Sequence, residues 1–126
     1  MSDNYILIVE DDEDIRENMV TLLEDEGYRT FSAKNGQEAL DFLLNTNLPM
    51  PKLIALDLYM PVMDGKSFLT ALGEKRNGRN LEDLTILLLT ASGESEREGL
   101  ESETVGILRK PIDIDEFLAI VKDNLG

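Results

Sequence analysis

Short unbroken apolar runs recur along the chain, each ending at a charged or hydroxyl residue. After each comes a stretch whose apolar residues lie three and four apart. The most informative run is Lys52-Leu53-Ile54-Ala55-Leu56-Asp57-Leu58-Tyr59-Met60-Pro61. Four apolar residues stop there at a carboxylate. A short continuous apolar run bounded by turn residues predicts a strand buried on both faces, and hence a parallel sheet. A helix is the alternative, but Pro51 and Pro61 confine the run too closely.

Three other runs have the same form. Tyr5 to Val9 leads into Glu10-Asp11-Asp12-Glu13-Asp14, Leu84 to Leu89 ends at Thr90, and Val105 to Leu108 leads into Arg109-Lys110-Pro111. Tyr28 to Ala33 alternates weakly and predicts a strand near a sheet edge. The intervening stretches predict helices. Ile15, Met19, Leu22 and Leu23 form one apolar stripe, with Asp14 as N-cap and Gly27 as the stop. A second helix opens at Asn35-Gly36 and turns Ala39, Leu40, Leu43 and Leu44 inward. Asp64 caps a third with Phe68, Leu69 and Leu72 inside. Ser92 to Glu103 predicts a fourth helix, held weakly because Leu100 is its only large apolar residue. The last has the capping pair Asp113 and Glu116, then Ile114, Phe117, Leu118 and Val121 as its stripe. Five β-α repeats without a linker predict one α/β domain over residues 1–126, a doubly wound (βα)5 three-layer sandwich on a parallel five-stranded sheet.

In such sheets ligands bind at the carboxyl ends of the strands. That edge would gather Glu10 and Asp11, Asp57, Thr90 and Lys110. Each has an ordinary explanation: Asp57 a solvated loop acid, Glu10 and Asp11 helix caps, Thr90 a strand end, Lys110 a partner for any surface acid. Together these require four coincidences at one edge. Clustered carboxylates repel unless a cation offsets them, and an oxygen-only nest suits a hard ion such as Mg²⁺. With Thr90 as hydroxyl donor and Lys110 as point charge, the set fits phosphoryl transfer with Asp57 as nucleophile.

Composition narrows the alternatives. The 126 residues include 26 acidic and 12 basic ones, a net charge of −14, which argues against direct nucleic-acid binding. There is no His, so no histidine base or phosphocarrier is present in the chain. No apolar run reaches the ~20 residues of a membrane span. Met1-Ser2-Asp3-Asn4 has no signal-peptide pattern, and with no Cys in the chain a cytoplasmic location is expected. Lys75, Arg76 and Arg79 form a small basic cluster in a polar loop from Gly73 to Asp83, expected to be solvated.

The sequence resembles a response-regulator receiver domain (CheY-like superfamily) of two-component signalling. The matching segments are Ile8-Val9-Glu10-Asp11-Asp12, Leu56-Asp57-Leu58-Tyr59-Met60-Pro61-Val62-Met63-Asp64-Gly65, Leu88-Leu89-Thr90-Ala91 and Arg109-Lys110-Pro111. The resemblance spans essentially the whole chain. It implies a flavodoxin-like strand order 2-1-3-4-5 and a phosphorylation-activated switch that is not an enzyme in its own right. Asp57 would accept a phosphoryl group from a histidine kinase or histidine phosphotransfer protein. Glu10, Asp11, Asp57 and the backbone carbonyl of Tyr59 would hold Mg²⁺. Lys110 would contact the phosphoryl oxygen through a cis Lys110-Pro111 bond. Thr90 would move toward the phosphate and signal to the face of the fourth helix, fifth strand and fifth helix, where an unidentified downstream protein would bind. A monomer or weak dimer with no output domain in this chain is expected.

The family usually has an aromatic residue three positions before the lysine. Here it is Ile107, so coupling through loop movement at Thr90 is expected in place of an aromatic rotamer switch. The fourth helix is unusually acidic for the family's dimer face, and the loop from Gly73 is longer than usual. Tyr59 occupies a position expected to shield the acyl phosphate from water. An aspartyl phosphohydrolase would need a second Asp two residues after the first, and Tyr59 stands there. A nucleotide site would need a glycine-rich turn after the first strand, where this chain has acids.

Overall fold

A computed structural model describes residues 5–45, 47, 51–57, 85–90, 106–109 and 112–125. Five strands run in chain order: β1 (Tyr5–Val9), β2 (Arg29–Ala33), β3 (Leu53–Asp57), β4 (Thr85–Thr90) and β5 (Gly106–Arg109). Among the described residues three helices accompany them: α1 (Glu13–Asp25), α2 (Gly36–Leu44) and α3 (Ile114–Leu125). The helices expected after Asp64 and from Ser92 to Glu103, and the loop from Gly73 to Asp83, lie outside the described residues.

All strand pairs are parallel, in the order β2-β1-β3-β4-β5. This is the expected doubly wound arrangement, with β2 on an edge. Because side chains alternate across a strand, the apolar runs divide into two cores. Leu7, Val9, Ile54, Leu56, Ile86 and Leu88 face α2 with its Ala39, Leu40 and Leu43. Ile6, Ile8, Leu53, Ala55, Leu87, Leu89 and Leu108 face Met19 and Leu23 of α1 and Phe117 and Val121 of α3. The unbroken apolar runs thus reflect burial on two faces. Leu53, Ile54, Ala55 and Leu56 are fully buried, so truncating Leu56 to Ala would cost about 2–5 kcal/mol.

The helix ends follow from local chemistry. Asp12 is extended and accepts the Ile15 N–H at 3.0 Å, capping α1. The cap is Asp12, not the expected Asp14, which lies within the first turn. At the other end Gly27 has φ +92°. Tyr28 N donates to Leu23 O and Gly27 N to Glu24 O, both at 3.0 Å. This is a Schellman stop, which needs the left-handed conformation that glycine adopts without strain. Asn35 caps α2 by accepting the Glu38 N–H at 2.8 Å, while Glu38 reaches back to the Lys34 N–H at 3.1 Å. Asp113 accepts the Glu116 N–H at 3.0 Å and starts α3. Ile114, expected in the stripe of that helix, is instead 55% exposed. It stands in the first turn, ahead of the buried Phe117 and Val121. At the β2 edge, Phe31 packs edge-on against buried Tyr5 and beside Phe42, at centroid distances of 5.1 and 5.3 Å.

Candidate functional site

Strand register creates the site. Val9 pairs with Leu56, so the next residues, Glu10 and Asp57, leave adjacent strands at the same level. Glu10 remains fixed to the sheet because its N–H donates to Ala33 O at 3.1 Å. Asp57 is still within β3 and pairs with Leu89 of β4. Asp11 follows Glu10 as the chain turns toward α1. One carboxylate oxygen from each of Glu10, Asp11 and Asp57 can be chosen so that all lie within 4.8 Å of one another.

Burial gives this proximity its significance. Glu10 is 1% exposed and Asp57 is 4% exposed, while Asp11 faces solvent. Burying carboxylates is costly unless hydrogen bonds or a cation compensate. Part of the compensation is local: Glu10 Oε2 accepts the Asp12 N–H at 3.2 Å. The donor set has only carboxylate oxygens, with neither imidazole nor thiolate, and it leaves one side open to solvent at Asp11. Hard oxygen donors with an open side fit Mg²⁺, which keeps several waters and takes few protein ligands.

Of the residues expected at this edge, Glu10, Asp11 and Asp57 are brought together. The backbone of Thr90 ends β4 and pairs with Arg109 of β5, the residue before Lys110. Tyr59 and Lys110 lie outside the described residues.

Two features were not anticipated from sequence. Arg16, half-buried on α1, donates from Nη1 to Glu10 O at 2.9 Å and to Asp11 O at 3.5 Å. An arginine between apolar helix positions reads as a solvent-facing charge, and main-chain carbonyls as its targets leave no sequence signal. The second feature is an open groove of about 750 Å³ between α1 and the start of α3, lined by Ile15, Met19, Leu22, Ile112, Ile114 and Phe117 among others. It begins at Ile15, in the first turn of α1. Its apolar lining, Ile15, Met19 and Leu22 with Ile114 and Phe117, was visible in the sequence, but periodicity assigns such residues to a core.

Among the described residues no helix is long and apolar enough to cross a membrane. A family model for the response regulator receiver domain matches residues 6–122. Sporulation initiation phosphotransferase F of Bacillus subtilis (strain 168) is 36% identical over 127 residues, covering 99% of this chain and 96% of that protein. The chain spans about half the length of two other curated relatives, a Synechocystis response regulator and a Staphylococcus aureus transcriptional regulatory protein. Among solved structures, a CheY-like receiver domain protein from Methanospirillum hungatei JF-1 superposes with TM-score 0.83 at 26% identity, covering 98% of this chain and 95% of that one. A Thermotoga maritima response regulator solved in complex with Mg(2+)-BeF superposes with TM-score 0.76 at 32% identity, covering 97% and 99%. Strand order, the acidic edge and these likenesses agree: the chain belongs to the family of response regulator receiver domains of two-component signalling.

Proposed function

We propose that residues 1–126 form one receiver domain that works as a phosphoacceptor switch in the cytoplasm, with Asp57 as the acceptor. The observation that carries this reading is the convergence of Glu10, Asp11 and Asp57 within 4.8 Å at the carboxyl edge of the sheet. An Asp57 carboxylate oxygen attacks the phosphorus of a phosphohistidine on a histidine kinase or histidine phosphotransfer protein. The P–O bond forms as the P–N bond breaks, and the leaving imidazole nitrogen keeps the bonding pair. Mg²⁺, when bound, would supply the positive charge that offsets both the carboxylates and the phosphoryl oxygens. Glu10, Asp11, Asp57 and the Tyr59 carbonyl would hold it.

The chain's other residues orient and stabilise. Lys110 takes a phosphoryl oxygen as a charged donor, and Thr90 offers its hydroxyl to another. The phosphorylated state then biases the surface that a downstream protein reads, through loop movement at Thr90 because Ile107 replaces the usual aromatic. The Tyr59 ring limits the access of water to the acyl phosphate. The protein acts on itself, in transfer and in autodephosphorylation, and as a monomer or weak dimer. The name of the Bacillus subtilis relative, a phosphotransferase, supports a relay role, and the Mg(2+)-BeF complex of the Thermotoga maritima relative supports the metal. The apolar groove between α1 and the start of α3 is where the phosphohistidine donor docks.

Incubation with acetyl phosphate and Mg²⁺, read by intact mass, tests the reading. Wild type should gain one phosphoryl group and Asp57→Ala none. Equal uptake by the variant, or no uptake by wild type, would overturn it.

A further inference from the structure

We propose that Arg16 is a positioning residue that sets the Mg²⁺ affinity and selectivity of the site by holding the main chain of the two acids that leave β1. The inference rests on the Mg²⁺ reading of the Glu10, Asp11 and Asp57 cluster.

The segment from Glu10 to Asp12 is tied at several atoms. Glu10 N–H is fixed to Ala33 O, and Glu10 Oε2 accepts from Asp12 N. Asp12 in turn caps α1 through Ile15 N, and Asp12 O accepts from Arg16 N at 2.9 Å. Of the remaining main-chain groups in the turn, the carbonyls of Glu10 and Asp11 both accept from Arg16 Nη1, at 2.9 and 3.5 Å. With those carbonyls held, the peptide planes on either side of Asp11 are set, and so are the directions in which the two acidic side chains leave the backbone.

Two effects of Arg16 on a bound cation have opposite signs. Its positive charge near a divalent ion weakens binding, and more so in a partly buried setting. Its hold on the loop strengthens binding by pre-ordering the ligands, as outer partners of metal ligands do. Had charge been the main contribution, a guanidinium in this acidic turn would pair with the carboxylates. Its hydrogen bonds run instead to main-chain carbonyls, which places positioning first. Mg²⁺ demands near-ideal octahedral geometry, whereas Ca²⁺ tolerates irregular ligand sets. Loss of positioning therefore penalises Mg²⁺ more than Ca²⁺, while a change of charge alone moves both alike.

The test uses the full chain and titrates wild type, Arg16→Met and Arg16→Lys with Mg²⁺ or Ca²⁺ by calorimetry, without phosphodonor. Met keeps the apolar stem, and Lys keeps the charge with a single point of contact. Thermal unfolding in chelator establishes that each variant is folded. Arg16→Met should lose at least about tenfold in Mg²⁺ affinity, with a smaller loss for Ca²⁺, and Arg16→Lys should fall between it and wild type. Unchanged or tighter Mg²⁺ binding in Arg16→Met, or equal factors for the two ions, would overturn the inference. If Arg16→Met does not fold, the Mg²⁺-to-Ca²⁺ ratio of Arg16→Lys decides by the same criterion. Failure of wild type to bind Mg²⁺ would instead refute the site reading beneath it.

Discussion

Glu10 and Asp57 stand level on adjacent parallel strands, one residue beyond the paired Val9 and Leu56, and both are buried. Parallel register therefore forces two carboxylates together at the point where each strand leaves the sheet. Like charges within about 4–5 Å at an effective dielectric of roughly 20 repel by about 3–4 kcal/mol. Asp57→Asn removes that repulsion while nearly preserving shape. In chelator the variant should melt above wild type by roughly 3–5 °C for each kcal/mol recovered. Added Mg²⁺ should raise wild type more than the variant and narrow the gap. A variant that melts at or below wild type in chelator would show that the native hydrogen bonds already compensate the cluster.

The same acidic run supplies a helix cap, and the structure places it at Asp12. Asp12→Ala should cost about 1 kcal/mol of stability. Asp14→Ala, inside the first turn and exposed, should stay within about 0.5 kcal/mol. Denaturant midpoints of the two variants compared with wild type are the measurement, and a larger loss for Asp14→Ala would contradict the cap assignment.

This cap shows where the sequence stops being informative. Strands were legible because burial on both faces leaves an unbroken apolar run, and Leu53 to Leu56 admits few other structures. Their carboxyl ends were legible for the same reason: the first polar residue after each run, such as Glu10 or Asp57, marks where the sheet ends. Within Glu10-Asp11-Asp12-Glu13-Asp14, however, three aspartates are equally able caps, and only the path of the turn selects Asp12. Ile114 shows a different limit. Helical spacing states which residues share a face, not where along the helix that face meets the sheet, so a first-turn isoleucine was assigned to the core. Arg16 escaped because its partners are main-chain carbonyls, which every residue has.

Gly27 closes α1 with φ +92°, and a Cβ there would meet nothing within 4 Å. Space is therefore available, but the backbone conformation is not favourable for an L side chain. Gly27→Ala should cost about 1–2 kcal/mol, seen as a lower guanidinium chloride midpoint with an unchanged slope. Gly27→Asn should lose less, since Asn tolerates this conformation better. An Ala variant as stable as wild type would mean that the Schellman turn relaxes to another stop.

Ile114 is exposed and lines the groove beside α1. An isoleucine exposed at a helix start adds little to folding, and its place on the groove makes it the residue with which to test donor contact. Glu at this position is compatible with the positive end of the α3 dipole, so Ile114→Glu should leave the thermal midpoint nearly unchanged. Docking of a phosphohistidine donor would suffer, because a buried apolar contact is replaced by a desolvated charge. Transfer from a histidine phosphotransfer protein should slow by at least about tenfold, the scale of losing roughly 1.4 kcal/mol at an interface. Uptake from acetyl phosphate, too small to use the groove, should be unaffected. Equal slowing with both donors would place Ile114 in the chemistry of the site, and no slowing with either would remove the groove from donor recognition.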